Sequence, residues 1–201
     1  MPGSLLLSTA YLPPAEYIAH IARAGSALIE IEENYCKQTY RNRCVILSAG
    51  GIQNLSVPVL HSSIHKTVVR DARIDYSKRW QQVHTRAIVS AYGKSPYFPF
   101  YNEIMEKIIM KNHEFLLDLN QELLSAILKI MKLKAPVSFT TRFIPVGEIE
   151  NDFRYTIAPK RSSEYSSRKY LQVFSRGNIL IKGLSIIDLI FNTGPDSSTY
   201  L

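Results

Sequence analysis

Residues 5–31 constrain the fold more than any other stretch. Leu5–Ser8 is a short apolar run, TAYLPP reads as a turn, and Ala15–Arg23 has the character of a short helix. Pro14 suits the first helical turn, where its missing N–H costs nothing. Gly25 ends the helix, and Ala27–Ile31 follows as a second, largely buried strand. Two such strands joined by a helix pair in parallel through a right-handed crossover. The N-terminus therefore predicts a β-α-β unit and an α/β fold.

The rest of the chain extends this. Arg43–Leu47 and Leu55–Leu60 read as an antiparallel pair across the turn-rich AGGIQN, and Val68–Asp75 as another short strand. A helical pattern then takes over from about residue 77 to 133. Lys78–Tyr92 has Ser77 as a candidate N-cap and an apolar stripe through Trp80, Val83, Ala87, Ile88 and Ala91. SPYFPFY forms a corner, and helices follow at Tyr101–Met110 and Glu114–Leu133, the second with Asn112 as a candidate cap. Val137–Thr141 and Leu171–Phe174 are strand-like, and APKRSSEYSSRK between them is a basic, serine-rich loop. Ser185 and Asp188 have capping-box spacing ahead of LIFN, and Gly194 and Pro195 stop that helix. The expectation is one α/β domain over 1–201, with a mixed sheet and a helical insertion.

Composition narrows the function classes. A net charge of +7 and 24 Lys+Arg against 17 Asp+Glu favour anionic partners. The basic residues are dispersed and no RNP-like or helix-turn-helix pattern occurs, which disfavours nucleic acid. The 2 cysteines, Cys36 and Cys44, lack CxxC spacing, so neither a disulfide scaffold nor a structural zinc site is indicated. No apolar window reaches the ~18 residues of a spanning helix, and MPGSLLLSTAYLPP lacks the cationic start of a signal peptide. These features predict a soluble, cytoplasmic protein without a membrane partner.

Several stretches could carry chemistry. NYCKQTYRNRC holds Lys37, Arg41 and Arg43 without an acid, directly after EIEEN with Glu30, Glu32 and Glu33. As a strand it would place Arg41 and Arg43 on one face, two guanidinium forks matched to phosphate or carboxylate oxygens. A solvated edge strand whose charges discourage aggregation is the alternative. His61 and His65 form an H-x₃-H pair, but no acid or cysteine precedes them closely enough to complete a metal site, and no metal is expected. His84 lies one helical turn beyond Trp80 at the border of the apolar stripe. A partly buried imidazole there could act as general acid or base, or simply be a satisfied structural histidine. The turn at TAYLPP sits at the carboxyl end of the first strand, where open α/β sheets bind ligands. Without G-x-G-x-x-G, P-loop glycines or G-x-S-x-G, the sequence names no cofactor and no serine nucleophile.

Taken in order, YLPPAEYIAHIARA, YCKQTYRNRCVI, LSVPV, WQQVHTRAIVSAYGKSPYF and LSIIDLIFNTGP resemble successive blocks of the WbqC-like family, from about residue 7 to 198. The matching positions are Tyr11, Pro13, Lys37, Asn42, Arg43, His84, Tyr92, Pro96 and Asn192; STAYLPP replaces a more usual glutamine-proline opening. Members occur in O-antigen and surface-polysaccharide gene clusters, and glycine or related aminoacyl transfer to a sugar has been suggested for them. The resemblance thus implies a transferase acting on a small anionic or nucleotide-linked substrate. With the basic run and His84 read beside the resemblance, Lys37, Arg41 and Arg43 would hold its phosphate or carboxylate, Lys66 would add to that field, Tyr11 and Asn42 would complete the binding set, and His84 would move the proton. A non-catalytic ligand-binding or scaffold protein of such a cluster is the other reading.

Overall fold

The computed structural model describes residues 5–60, 67–175 and 179–201. His61, His65 and Lys66 lie outside the described residues. The protein is a mixed α/β structure whose parallel and antiparallel strands form two separate sheets.

The parallel sheet has four strands in the order β5-β2-β1-β6: β1 (Leu5–Ser8), β2 (Ala27–Glu30), β5 (Val137–Phe139) and β6 (Asn151–Asp152). Helix α1 (Ala15–Ala24) lies between β1 and β2 in the chain, and those strands pair in parallel with Leu6 opposite Leu28. Gly25 ends α1 with φ +72°, a left-handed conformation that only glycine adopts without strain. β1 is buried along its whole length, as befits a central strand covered on both faces. After β1 the chain moves to β2 and β5 on one side, then returns with β6 to the other. Strand order therefore reverses beside β1.

The antiparallel pair is β3 (Arg43–Ser48) and β4 (Gly51–Ser56), with Ser48 opposite Gly51. This corrects the sequence reading, which placed the second strand at Leu55–Leu60. The reversal needs only Ala49 and Gly50, because Gly51 takes φ +102° and lets pairing start at once. Val68–Asp75 also differs: it contains a 3₁₀ turn at Val69–Asp71 and isolated bridges from Arg73 to Phe115 and Ile74 to Val59. Leu171–Phe174 forms no strand.

The helices are α2 (Trp80–Tyr92), α3 (Phe98–Met110), α4 (Leu116–Ile130) and α5 (Ile186–Thr193). The expected caps Ser77 and Asn112 do not cap, since the N-cap positions belong to Arg79 and Phe115. α3 starts inside the aromatic corner because Pro99 is tolerated in a first turn. At α5, Ser185 Oγ accepts from the Ile187 N–H and donates to the Leu12 carbonyl at 2.8 Å. Asp188 does not complete a capping box, because the Ser185 N–H donates to the Val45 carbonyl. Its carboxylate instead accepts from the Tyr170 hydroxyl at 2.5 Å and from Gln172 Nε2 at 3.2 Å, fastening Tyr170 and Gln172 to α5. Leu7, Ile18, Ile29, Ile46, Ile88, Leu123 and Ile190 belong to one connected core that spans both sheets and the helices.

Candidate active site at the carboxyl edge of the parallel sheet

The carboxyl ends of β1, β2 and β6 carry a cluster of buried charges. Glu30 closes β2 and Glu33 follows it; Ser8 closes β1, with Thr9 next; Asp152 closes β6, followed by Arg154. Arg41 reaches this cluster because residues 36–41 form a turn rather than a strand, with Gln38 at φ +62°. Alternation fails there, and Arg41 and Asn42 are both buried. The single face expected for Arg41 and Arg43 does not form.

Arg41 forks onto Glu33, with Nε to Oε1 at 2.8 Å and Nη2 to Oε2 at 2.7 Å. Nη2 also donates to Ser8 Oγ at 2.6 Å. Arg154 has no exposed side-chain surface and donates to Glu30 at 3.0 Å and to Asp152 at 2.6 and 2.9 Å. Glu30 is completed by the Thr140 hydroxyl at 2.7 Å and the Ile144 N–H at 2.9 Å. Burial raises the Asp152 pKa, but the hydrogen bonds from Arg154 outweigh it and leave that carboxyl below its ordinary value. Desolvation lowers the Arg154 pKa, yet its bonds to Asp152 win and hold the guanidinium more firmly charged than usual. Buried ions persist only when paired and hydrogen-bonded in this way.

Between these groups lies a narrow cleft lined by Ser8, Thr9, Tyr17, Arg41, Phe153 and Arg154, with a free interior of ≈ 10 Å³. It opens where strand order reverses, the position at which open parallel sheets take their ligands. A larger pocket of ≈ 490 Å³ beside the hairpin turn is lined by residues such as Leu47, Gly50, Phe174 and Ile179, and among the described residues no ionisable side chain lines it.

Of the individual candidate binding and catalytic residues within the described chain, Arg41 alone lines the cleft, where it is joined by Thr9 and Ala10 of the TAYLPP turn. Lys37 is exposed, and Arg43 donates from Nε to Ser56 Oγ at 3.2 Å on the hairpin. Asn42 is structural, giving Nδ2 to the Val57 carbonyl at 2.9 Å. Tyr11 and His84 meet deep in the core, with the hydroxyl 2.9 Å from Nδ1. Burial raises the Tyr11 pKa well above its ordinary value, so the hydroxyl keeps its proton, and the direction of this bond follows the tautomer of His84. Burial pushes His84 down to about 4 against a smaller opposing effect from its hydrogen bond to the Ser56 backbone, so the ring is neutral at pH 7. His84 is 3% exposed. Cys36 is exposed, while burial drives the Cys44 thiol far above its ordinary pKa and leaves it inert.

Sequence reasoning missed Glu30, Glu33, Asn120, Asp152 and Arg154 as site residues, while Thr9 opens the TAYLPP turn marked as a ligand-binding edge. The available signal was the juxtaposition of acidic EIEEN with the basic run that follows, which reads as two patches until Glu33 and Arg41 are seen as a pair. Among the described residues no group of three or more His, Cys, Asp and Glu side chains could hold a metal ion, and no helix is long and apolar enough to cross a membrane.

The family model described as "WbqC-like protein family" matches residues 9–163. Among curated proteins the chain is similar to Uncharacterized protein Rv1507c of Mycobacterium tuberculosis (strain ATCC 25618 / H37Rv), 25% identical over 98% of this chain and 96% of the relative. No solved structure matches.

Proposed function

The chain belongs to the WbqC-like protein family, and from that premise we propose that it is a small-molecule transferase whose reaction centre is the cleft between β1 and β6. The observation that carries this reading is the placement of two buried guanidinium groups, Arg41 and Arg154, at the point of strand reversal. Such ion pairs cost desolvation and are not an economical way to stabilise a core, so their concentration at a ligand-binding edge supports a functional role. The substrate is an activated acyl or aminoacyl group, or a nucleotide-linked molecule. Transfer of glycine or a related group onto a sugar in surface-polysaccharide assembly is the specific form that the family resemblance implies.

In this reading Arg41 orients the polar end of the substrate, and Glu33 fixes the Arg41 fork. Lys37 and Arg43 supply surrounding field rather than direct contacts. His84 is a positioning residue: its neutral ring holds the Tyr11 hydroxyl, and with it the turn after β1 that carries Thr9 into the cleft. The free interior takes about one water, so a substrate enters by parting Phe153–Ile157 from the Tyr40–Arg41 side.

A thermal-shift panel of nucleotides, nucleotide sugars, amino acids and acyl phosphates tests the reading, since a ligand that binds the native state raises the melting temperature. A ligand should stabilise the wild type and do so much less in Arg41→Lys, which keeps the charge but not the planar fork. A panel without effect on the wild type, or equal responses from the two proteins, would sink it. The second reading, a non-catalytic scaffold, is favoured by exposed apolar side chains such as Val83 on α2 and Phe100 on α3.

A further inference from the structure

Among the described residues, the hydrogen bonds of Thr9 and Arg41 leave donors unused at the cleft, and their assignment rests on the cleft being the reaction centre. Asn120, buried on α4 at 1% exposure, donates from Nδ2 to Thr9 Oγ1 at 3.1 Å and to the Arg41 carbonyl at 2.8 Å. The second bond fixes the amide so that its NH₂ group, rather than its oxygen, meets Thr9. Thr9 Oγ1 is therefore an acceptor towards Asn120, and its own proton must point elsewhere. Among the described residues that proton has no acceptor, although Thr9 is only 4% exposed. Arg41 is in the same position at one nitrogen: Nε and Nη2 are taken by Glu33 and Ser8, and Nη1 has no partner among the described residues. Thr9 and Arg41 both line the cleft, whose ≈ 10 Å³ interior has the size of a single oxygen-bearing group.

Two residues that each keep an unused donor line a space of about one oxygen, which suits an acceptor oxygen. The charge balance says which kind. Glu30, Glu33 and Asp152 outnumber Arg41 and Arg154, so the cluster as a whole repels a full negative charge while its free donors still seek an acceptor. We propose that Thr9 Oγ–H and Arg41 Nη1–H form a two-donor hole for the carbonyl oxygen of the substrate, with Asn120 as the residue that sets the direction of the Thr9 hydroxyl. The occupant is a neutral carbonyl group, an acyl or amide oxygen, rather than a phosphate. Preorganised donors of this kind stabilise a carbonyl oxygen most when it gains charge in a low-dielectric site.

The test uses the full-length protein and NMR titration with two small probes, acetamide as a neutral carbonyl and acetate as its anionic counterpart. Acetamide should shift the Arg41 guanidinium and Thr9 resonances of the wild type and bind at least as well as acetate. Thr9→Val, which keeps shape and loses both the donor and the acceptor of the Asn120 bond, should weaken acetamide about tenfold, the effect of one lost neutral hydrogen bond. Thr9→Ser should restore it. If acetamide perturbs Phe153 and Ile157 but neither Arg41 nor Thr9, or if Thr9→Val titrates like the wild type, the hole is overturned while the cleft remains a binding site. Acetate binding more than tenfold tighter than acetamide would overturn the neutral-carbonyl assignment. If no cleft residue responds to either probe or to any ligand of the panel, the hole and the reaction-centre reading fall together. The wild-type titration decides these points even where Thr9→Val fails to fold.

Discussion

His84 and Arg154 are both buried polar residues, and they respond to acid and to mutation in opposite ways. His84 is neutral in the fold down to about pH 4, whereas the unfolded imidazole takes its proton near 6.5. Between those values the unfolded chain binds more protons. The contribution of His84 is therefore complete above pH 6.5 and is lost as pH falls towards 4, at up to about 1.4 kcal/mol per pH unit. Urea unfolding across that range should show a steeper acid loss in the wild type than in His84→Gln; equal slopes would remove His84 from the account. Arg154 stays charged throughout, and its replacement by Met strands Glu30 and Asp152. That loss should cost about 3–5 kcal/mol, and adding Glu30→Gln should recover part of it, as chemical denaturation can measure. These partners also explain what was hard to read. Arg154 lies 124 residues from Glu30 in the chain, and no periodicity or spacing links such a pair. Arg41 was legible as a binding candidate because its neighbours are cations, but its burial depends on a turn that breaks strand alternation.

Single elements were read best where their own chemistry punctuates them. β1, α1 and β2 follow from apolar runs separated by Pro14 and Gly25, and α5 follows from Ser185 and Gly194. The second hairpin strand was displaced because AGGIQN looks like a long turn, while positive φ at Gly51 makes two residues sufficient. β6 is two residues long and has no signal of its own; it exists because Asn151 and Asp152 align with Leu5 and Leu6. Gly194 provides a sharp test at this scale. It sits at φ +59°, and an added Cβ would stand 2.3 Å from the Tyr97 ring. Gly194→Ala should lower stability by roughly 2 kcal/mol or more through both effects, seen as a lower melting temperature. Tyr170→Phe removes the 2.5 Å bond to Asp188 and the acceptor that Gln172 Nε2 shares with it; it should leave α5 intact but raise amide exchange at Leu171 and Gln172.

At the scale of the whole molecule, one core joins the two sheets to the helices. We propose on that ground that the chain unfolds as one unit. Trp80, the chain's 1 tryptophan, is 4% exposed and reports on the helical half, while far-UV circular dichroism follows the backbone as a whole. Their urea midpoints should coincide; separated midpoints would divide the helical part, about 77–133, from the sheets.

The parallel sheet also carries a schedule. β1 is central, yet its partner on one side, β6, begins at Asn151, opposite Leu5. During synthesis β1 and β2 leave the ribosome early and wait with an unpaired apolar edge while some 120 further residues are made. Pairings of such long sequence separation form late and slowly, and open strand edges invite association in the interval. The same edge that becomes the cleft in the finished protein is therefore the part of the nascent chain most in need of shielding.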